Sequence, residues 1–264
     1  MKRATTLTEL QLPRTRGLAS RVEVLEETGS TNADLRERSA DAVGWPHLSL
    51  LVTADQTAGR GRLDRTWVAP AGSALAISVL LRRLPPAAAR GWIPLAAGVA
   101  MADAVAAQLP GHDVTVKWPN DVLVDGRKIC GILAEATVDS VIVGTGVNTA
   151  MPASALPVPT AISFAVLGVE ADEDRLIADY LQRLGALLDA LSEAGDAIAS
   201  GLHAAVTARC ATIGLAVRVS LPGDRMLEGT ATALDRDGRL VVVADGVEHA
   251  VSAGDVVHVR PAAP

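Results

Sequence analysis

Lys117-Trp118-Pro119-Asn120-Asp121, Val122-Leu123-Val124-Asp125-Gly126 and Arg127-Lys128-Ile129-Cys130-Gly131-Ile132-Leu133-Ala134-Glu135 follow one another without a break. Apolar segments flank Asp125-Gly126, a strong two-residue turn signal, so the stretch reads as a β-hairpin inside a sheet. Lys128 is the anomaly in it. A strand that buries its faces excludes lysine unless the ammonium meets an anion, because a desolvated, unpaired charge is costly. The lysine is therefore read as a chemical group whose anion has to be found. The blander alternative, an edge-strand lysine pointing to water, fits the same letters. Lys117 reads equally as a surface charge, and Asn120 and Asp121 as turn formers.

The 264 residues allow one large α/β domain or a main domain with a small partner, and the second is favoured. Hydrophobic residues make up 49% and charged residues 20%, enough apolar material for a sizeable core and unlike a disordered chain. At 2%, aromatics are too scarce to stack the bases of a single-stranded nucleic acid. The net charge of -6 gives no general attraction to DNA or anionic membranes, so any polyanion must be met by local cations. Cys130 and Cys210 lack zinc-like or disulfide-framework spacing, read as packing residues and suit a reducing cytoplasm. No apolar run follows Met1-Lys2-Arg3-Ala4-Thr5-Thr6 as a signal peptide requires. Ile93 to Leu109, interrupted by Asp103, is too short for a comfortable membrane span and reads as a buried helix.

Working outward, residues 1–20 form a leader in which Pro13 and Gly17 make a poor helix, and Arg21 to Leu25 is the first strand. Ser30 and its neighbours in Thr28-Gly29-Ser30-Thr31-Asn32-Ala33-Asp34 cap a helix reaching about Ser39. Leu48 to Ala54 and Ser73 to Leu81 read as strands on either side of a mobile loop, Gln56 to Thr66. Trp92 to Leu109 is the long core helix. Ser140 to Val143 is a strand ending in Gly144-Thr145-Gly146-Val147-Asn148, prolines from 152 to 159 mark an irregular connection, and residues 172–212 read as two helices divided near Gly195. From Ile213 the pattern turns to five short strands punctuated by turns, a small closed or sandwiched β module. The expected domains are therefore 21–212 and 213–264.

Gly59-Arg60-Gly61-Arg62, extended by Arg65, is the first chemical candidate. Glycines let backbone approach a ligand, and guanidiniums neutralise carboxylate or phosphate oxygens. Alone it would be a solvated basic loop; apolar strands at both ends argue otherwise. Gly144-Thr145-Gly146 has Thr149 where a dinucleotide fingerprint needs its third glycine, and no Walker-type phosphate loop exists. His47, His112, His203, His249 and His258 lack ligand-like spacing, and no serine-hydrolase elbow is present.

Ser30-Thr31-Asn32, Gln56 with Gly59-Arg60-Gly61-Arg62, Lys117 to Asp121, Arg127-Lys128 with Gly131, and Gly144 to Asn148, taken in order, resemble the biotin protein ligase family. Each string alone is weak; K-W-P-N-D followed by R-K-x-x-G-I-L-x-E after a strong turn is specific. Gly229-Thr230-Ala231 and Asp235-Arg236-Asp237-Gly238 also resemble that family's terminal barrel. The resemblance implies an α/β (α+β) catalytic domain of the class II aminoacyl-tRNA synthetase-like, biotin-lipoyl ligase kind, with a mixed, largely antiparallel sheet and a small C-terminal SH3-like β-barrel. It implies two half-reactions: biotin and Mg-ATP give biotinyl-5'-AMP and pyrophosphate, then a carrier lysine takes the biotinyl group and releases AMP. Neither step needs an enzyme nucleophile, in line with the absence of any arrangement for one.

The resemblance places Ser30, Thr31, Asn32, Gln56, Gly59, Arg60, Gly61, Arg62, Lys128, Gly131, Leu133 and Gly144 around biotin. It places Arg62, Arg65, Trp67, Lys117, Asn120, Asp121, Lys128, Gly146 and Asn148 around ATP. Lys128, with Arg62 and Arg65, would carry the catalysis by bridging the biotin carboxylate and the α-phosphate. Three roles stand for Asp121: orienting Lys128, holding magnesium, or stabilising the turn. Magnesium would be carried mainly by the ATP phosphates, and no tightly bound prosthetic group is expected. The implied partner is the biotin carboxyl carrier domain of acyl-CoA carboxylases, with the protein cytoplasmic, a monomer or weak homodimer, and without membrane or specific DNA as partners. Some members carry an N-terminal DNA-binding domain for which this chain is expected to have no room. Leu63-Asp64 departs from the more basic or glycine-containing loop often seen in the family. The rival readings are a lipoate or octanoate protein ligase of the same architecture, and a non-enzymatic adaptor using the C-terminal β module.

Overall fold

The computed structural model describes residues 11–62, 65–221, 225–252 and 255–258. Leu63-Asp64, the Pro222-Gly223-Asp224 turn and Gly254 lie outside them, as do residues 1–10 of the leader and the end of the last expected strand. The main sheet is built from β1 (Arg21–Val24), β2 (Ser49–Thr53), β5 (Leu75–Leu81), β6 (Val114–Lys117), β7 (Asp121–Val124), β8 (Arg127–Ala136) and β9 (Val141–Val147). They lie in the order β1-β2-β5-β9-β8-β7-β6. Only β1 and β2 run parallel; every other pair is antiparallel, giving the mixed, largely antiparallel sheet expected. β7 and β8 turn at Asp125 (φ 49) and Gly126 (φ 73), both left-handed, as a two-residue hairpin turn of the favoured hand requires.

One face of this sheet carries the helical core. α3 (Ile93–Ala106) is apolar almost all round and is buried between the sheet and α4 (Glu173–Ala194). α4 points Leu176, Tyr180, Leu184, Leu187, Leu188 and Leu191 inward, a helical spacing closed by Asp172 at its N-cap and Gly195 (φ 69) at its C-cap. Cys130 and Cys210 belong to this core. α5 (Leu202–Arg209) completes the helical division expected near Gly195. The opposite face carries α2 (Thr31–Arg38), whose Leu35 packs with Trp45, Leu51, Leu80 and Ile142 in a second, smaller core. The catalytically interesting residues share this second face.

The leader departs from expectation. Pro13–Leu18 forms a helix, α1, with Pro13 in the first turn, where its missing N–H costs nothing. Asp174, from the start of α4, accepts from the backbone N–H groups of Arg14 and Thr15 at 3.0 Å each and from Thr15 Oγ1 at 2.9 Å. The cap arrives from 160 residues away, so local propensity could not reveal it. The strand ending in Gly144 to Asn148 also differs: pairing continues through both glycines to Val147.

The C-terminal strands β10 (Ala216–Leu221), β11 (Arg225–Leu234), β12 (Leu240–Ala244), β13 (Val247–Val251) and β14 (Asp255–His258) form a five-stranded antiparallel sheet in the order β13-β12-β11-β10-β14. Two indoles hold it to the main body. Trp92 Nε1 donates to Arg236 O and Trp118 Nε1 to Gly238 O, both at 3.0 Å. The backbone N–H of Trp118 donates to Thr212 Oγ1 (3.0 Å), which lies 3.1 Å from His258 Nε2.

Candidate active site

Register across four neighbouring strands lays out the floor of the site. Ala76 pairs with Gly146, Gly146 with Gly131, and Gly131 with Asp121; in the next row Ser78 pairs with Gly144 and Gly144 with Leu133. Because side chains alternate across a strand, these residues share one face, while Ile77, Val79, Val143, Cys130 and Ile132 enter the helical core on the other. The glycines are required by close approach. A methyl on Gly144 would overlap the Asn32 carboxamide, and one on Gly146 would stand 2.7 Å from the Trp67 indole.

Parity alone would send Lys128 to the wrong side. It is even-numbered on a strand whose site-facing residues are Gly131, Leu133 and Glu135. A register shift between Val122 and Leu123 makes Val122 face Cys130 and Leu123 face Lys128, so Ile129 is the extra residue of a β-bulge. The bulge turns Lys128 onto the site face. Its side chain arches over Gly131, with Nζ 3.0 Å from where a Cβ there would be and 2.6 Å from Asp121 Oδ1. Of the three roles open to Asp121, contact with Lys128 is the one the geometry displays.

The described residues of the arginine-glycine segment include paired strands. β3 (Gly59–Arg60) and β4 (Thr66–Trp67) pair as a two-stranded ribbon, and Gly61 N–H donates to Arg65 O at 2.6 Å. This ribbon stands over the floor. Arg62 Nη1 donates to Asn120 Oδ1 (3.1 Å), and Asn120 Nδ2 to Ile132 O (2.9 Å), so an amide from the Trp-Pro-Asn-Asp turn joins the ribbon to β8.

The remaining wall is the start of α2. Ser30 Oγ caps the helix, accepting from Ala33 N–H at 3.4 Å. Gln56 Oε1 accepts from Thr31 N–H (2.9 Å) and Oγ1 (3.1 Å), tying the segment that leads into the ribbon to that helix. Ser78, fully buried, places Oγ 2.6 Å from Asn32 Oδ1 and 2.8 Å from Thr31 Oγ1. Sequence reasoning missed Ser78 and gave Glu135 no role. A polar residue in an otherwise apolar strand, in register with a glycine, was the available signal for Ser78.

The cleft so formed has a cavity volume of about 170 Å³ and opens to solvent. Its lining gathers Ser30, Thr31, Asn32, Gln56, Arg60, Gly61, Arg62, Arg65, Trp67, Asn120, Asp121, Lys128, Gly131, Leu133, Gly144 and Gly146 from the residues singled out in the sequence. Three lie outside it. Gly59, in the ribbon itself, lines the neighbouring surface. Asn148 is buried, donating from Nδ2 to Ile162 O at 2.9 Å. Lys117, on β6 opposite Asp121, is near enough to the C-terminal sheet that burial and, after it, the Lys117 charge lower His258 to about 4. Among the described residues, Arg60, Arg62, Arg65 and Lys128 line this cleft with Asp121, and Glu135 beside it holds Arg60 at 3.0 Å, so an acidic chain gathers cations here. Side chains of this kind attract anions; among the described residues no three His, Cys, Asp or Glu side chains converge as a metal cage.

The mixed sheet with its cation-lined cleft and the appended small β sheet each match a known family. Residues 24–148 match the Biotin/lipoate A/B protein ligase family, and residues 212–259 match the Biotin protein ligase C terminal domain. The chain is 41% identical over 243 residues to the biotin--[acetyl-CoA-carboxylase] ligase of Mycobacterium tuberculosis, covering 90% of this chain and 89% of the relative. It is 31% identical to the bifunctional ligase/repressor BirA of Escherichia coli, covering 86% of this chain and 70% of the relative. In fold it is similar to the Aquifex aeolicus biotin protein ligase solved with biotin and ATP (TM-score 0.75, 23% identity, covering 92% and 100% of the two chains). It is also similar to the Leishmania major enzyme solved with biotinyl-5-AMP (TM-score 0.62, 30% identity, covering 89% and 99%). The chain belongs to the biotin protein ligase family.

Proposed function

We propose that this protein is an ATP-dependent biotin protein ligase acting on a biotin carboxyl carrier domain of an acyl-CoA carboxylase, in the cytoplasm. In the first half-reaction a biotin carboxylate oxygen bonds to the α-phosphorus of ATP as the bond to pyrophosphate breaks. In the second, the ε-amine of a carrier lysine bonds to the biotinyl carbonyl carbon, AMP leaves, and the amine proton passes to solvent. Both steps are governed by charge and position. Two anions repel as they approach, and a fixed cation between them is worth most where water is excluded. The observation that carries this reading is the bulge that turns Lys128 into the cleft, across from Arg62 and Arg65.

Asn32, Thr31 and Gln56 supply donors and acceptors for a polar ring system, with buried Ser78 holding Asn32 and Thr31 from behind and Leu133 as the apolar wall. Trp67 and Asn120 offer a flat face and an amide for adenine, beside Gly146. Magnesium enters as part of the substrate, Mg-ATP, since Asp121 is engaged by Lys128. Lys117 and Asn148 fit supporting roles: the first near the phosphates at the cleft margin, the second in holding the strand end after β9. The acidic net charge supports a chain with no affinity for duplex DNA. No helix among the described residues is long and apolar enough to cross a membrane.

The test is to incubate the protein with ATP, magnesium, biotin and a purified carrier domain and weigh the carrier. A gain of one biotinyl group is expected, and an unchanged mass would overturn the proposal. Exchange of labelled pyrophosphate into ATP that needs biotin and ignores lipoate separates this reading from a lipoate ligase.

A further inference from the structure

One carboxylate that the mechanism does not use joins three separate pieces of the cleft. Glu135 leaves β8 two residues beyond Leu133, on the site face, and its side chain is only 16% exposed. Oε2 accepts from Asn32 Nδ2 at 2.7 Å and from Arg60 Nη2 at 3.0 Å; Oε1 accepts from Arg36 Nη2 at 3.1 Å. The two arginines reach it from solvent, with side chains 44% and 47% exposed.

The chemistry of the carboxylate dictates how Asn32 sits. A carboxylate accepts hydrogen bonds and does not donate them, so the amide turns Nδ2 toward Glu135, the shorter of its two contacts, while the Leu133 carbonyl accepts from the same nitrogen at 3.3 Å. Its Oδ1 is then directed to Ser78 Oγ and held above Gly144. The same oxygen that fixes this amide also holds Arg60 of the ribbon. We propose that Glu135 is a positioning residue for biotin: it sets the amide orientation of Asn32 and seats Arg60, coupling the α2 wall of the cleft to the arginine-glycine ribbon. Arg36 neutralises the second oxygen from the surface and contributes little to the coupling.

This inference rests on the ligase reading, because it takes Asn32 and Arg60 as biotin contacts. A glutamine in place of Glu135 keeps the shape but leaves one acceptor oxygen for donors from three side chains, and its own amide opposes them. Loss of a hydrogen bond to a charged group costs enough to raise the biotin KM of Glu135→Gln about tenfold, with kcat changed less than about threefold.

The experiment is biotin-dependent pyrophosphate exchange with the full chain and saturating Mg-ATP, measured for Glu135→Gln, Arg60→Gln, the double variant and Arg36→Gln. The double variant is expected to be no worse than the poorer single variant, since both remove one coupled unit. Arg36→Gln is expected within about twofold of the unmodified protein, as befits an exposed ion pair. A Glu135→Gln protein with unchanged biotin KM, or single effects that multiply in the double variant, would overturn the proposal. Should Glu135→Gln fold poorly, Glu135→Asp keeps the charge one methylene short, and the same KM rise and non-additivity with Arg60→Gln are required of it. Exchange by the unmodified protein is the separate control: its absence defeats the ligase reading, whereas its presence beside an indifferent Glu135 variant defeats this inference alone.

Discussion

Lys128 is the residue on which the proposed chemistry turns, and two contacts position it. Asp121 holds the ammonium at 2.6 Å while Gly131 leaves room beneath it, so the charge is aimed into the cleft without being buried outright. Removing a fixed charge-stabilising group of this kind costs about 10²–10³-fold in turnover, and Lys128→Ala is expected to lose that much pyrophosphate exchange. The loss should appear in kcat more than in biotin KM; an alanine variant with full activity would show that the cation serves only to fill the strand. The need for a lysine with a partner was legible in the letters. The side to which it points was not, because a one-residue bulge reverses parity and no propensity marks Ile129 as the extra residue.

At the scale of elements, the arginine-glycine ribbon and α2 make the walls, and their behaviour is separable from the floor. The ribbon touches the floor through Trp67 over Gly146 and through the Arg62–Asn120 hydrogen bond, with ligand space enclosed between them. Biotin and ATP together are expected to slow tryptic cleavage after Arg60, Arg62 and Arg65, read by mass spectrometry of the fragments. Equal cleavage with and without both substrates would count against the ribbon covering them. The helix cap at Ser30, the turn at Asp125-Gly126 and the split near Gly195 were all readable, since each depends on a few adjacent residues. α1 was not, because its N-terminus is capped by Asp174 from another helix. Nor was continuation of β9 through Gly144 and Gly146, whose missing side chains are explained only by Asn32 and Trp67 packing on them.

For the whole molecule, the junction between the two sheets combines a shared apolar core with specific hydrogen bonds beside the Trp-Pro-Asn-Asp turn. Trp118→Phe keeps the ring but leaves the buried Gly238 carbonyl without its donor, costing about 1–3 kcal/mol. At roughly 2–4 °C per kcal/mol for a chain of this size, the melting temperature should fall by several degrees. An unchanged melting curve would show that the indole contact carries no load. His258 adds a pH dependence at the same junction. Burial, then the Lys117 charge, holds it at about 4 in the folded protein against an ordinary value of 6.5. The unfolded chain therefore takes up a proton first as the solution is acidified. The stability tied to neutral His258 is complete above about pH 6.5 and is lost progressively toward about pH 4. His258→Gln is expected to flatten the fall in melting temperature between those limits, although His47, also held at about 4, leaves part of it. A variant with the unmodified protein's slope would remove His258 from the account.

The sequence by itself determined what depends on short spacing and composition: the hairpin turn, the helix caps, the apolar runs that build both sheets, and the residue types of an anion-gathering site. It also carried the family, because those motifs recur in a fixed order along the chain. Only the tertiary structure decided which residues face one another. Strand register set Ser78 beneath Asn32, a bulge turned Lys128 inward, and Glu135 met two arginines from different segments. Lys117 and Asn148, close in sequence to residues of the cleft, were carried outside its lining by the same geometry. The physical reason is that local conformation costs and gains are settled among neighbours, whereas a site is assembled by contacts between strands and helices far apart in the chain, where a shift of one residue exchanges the two faces of a sheet.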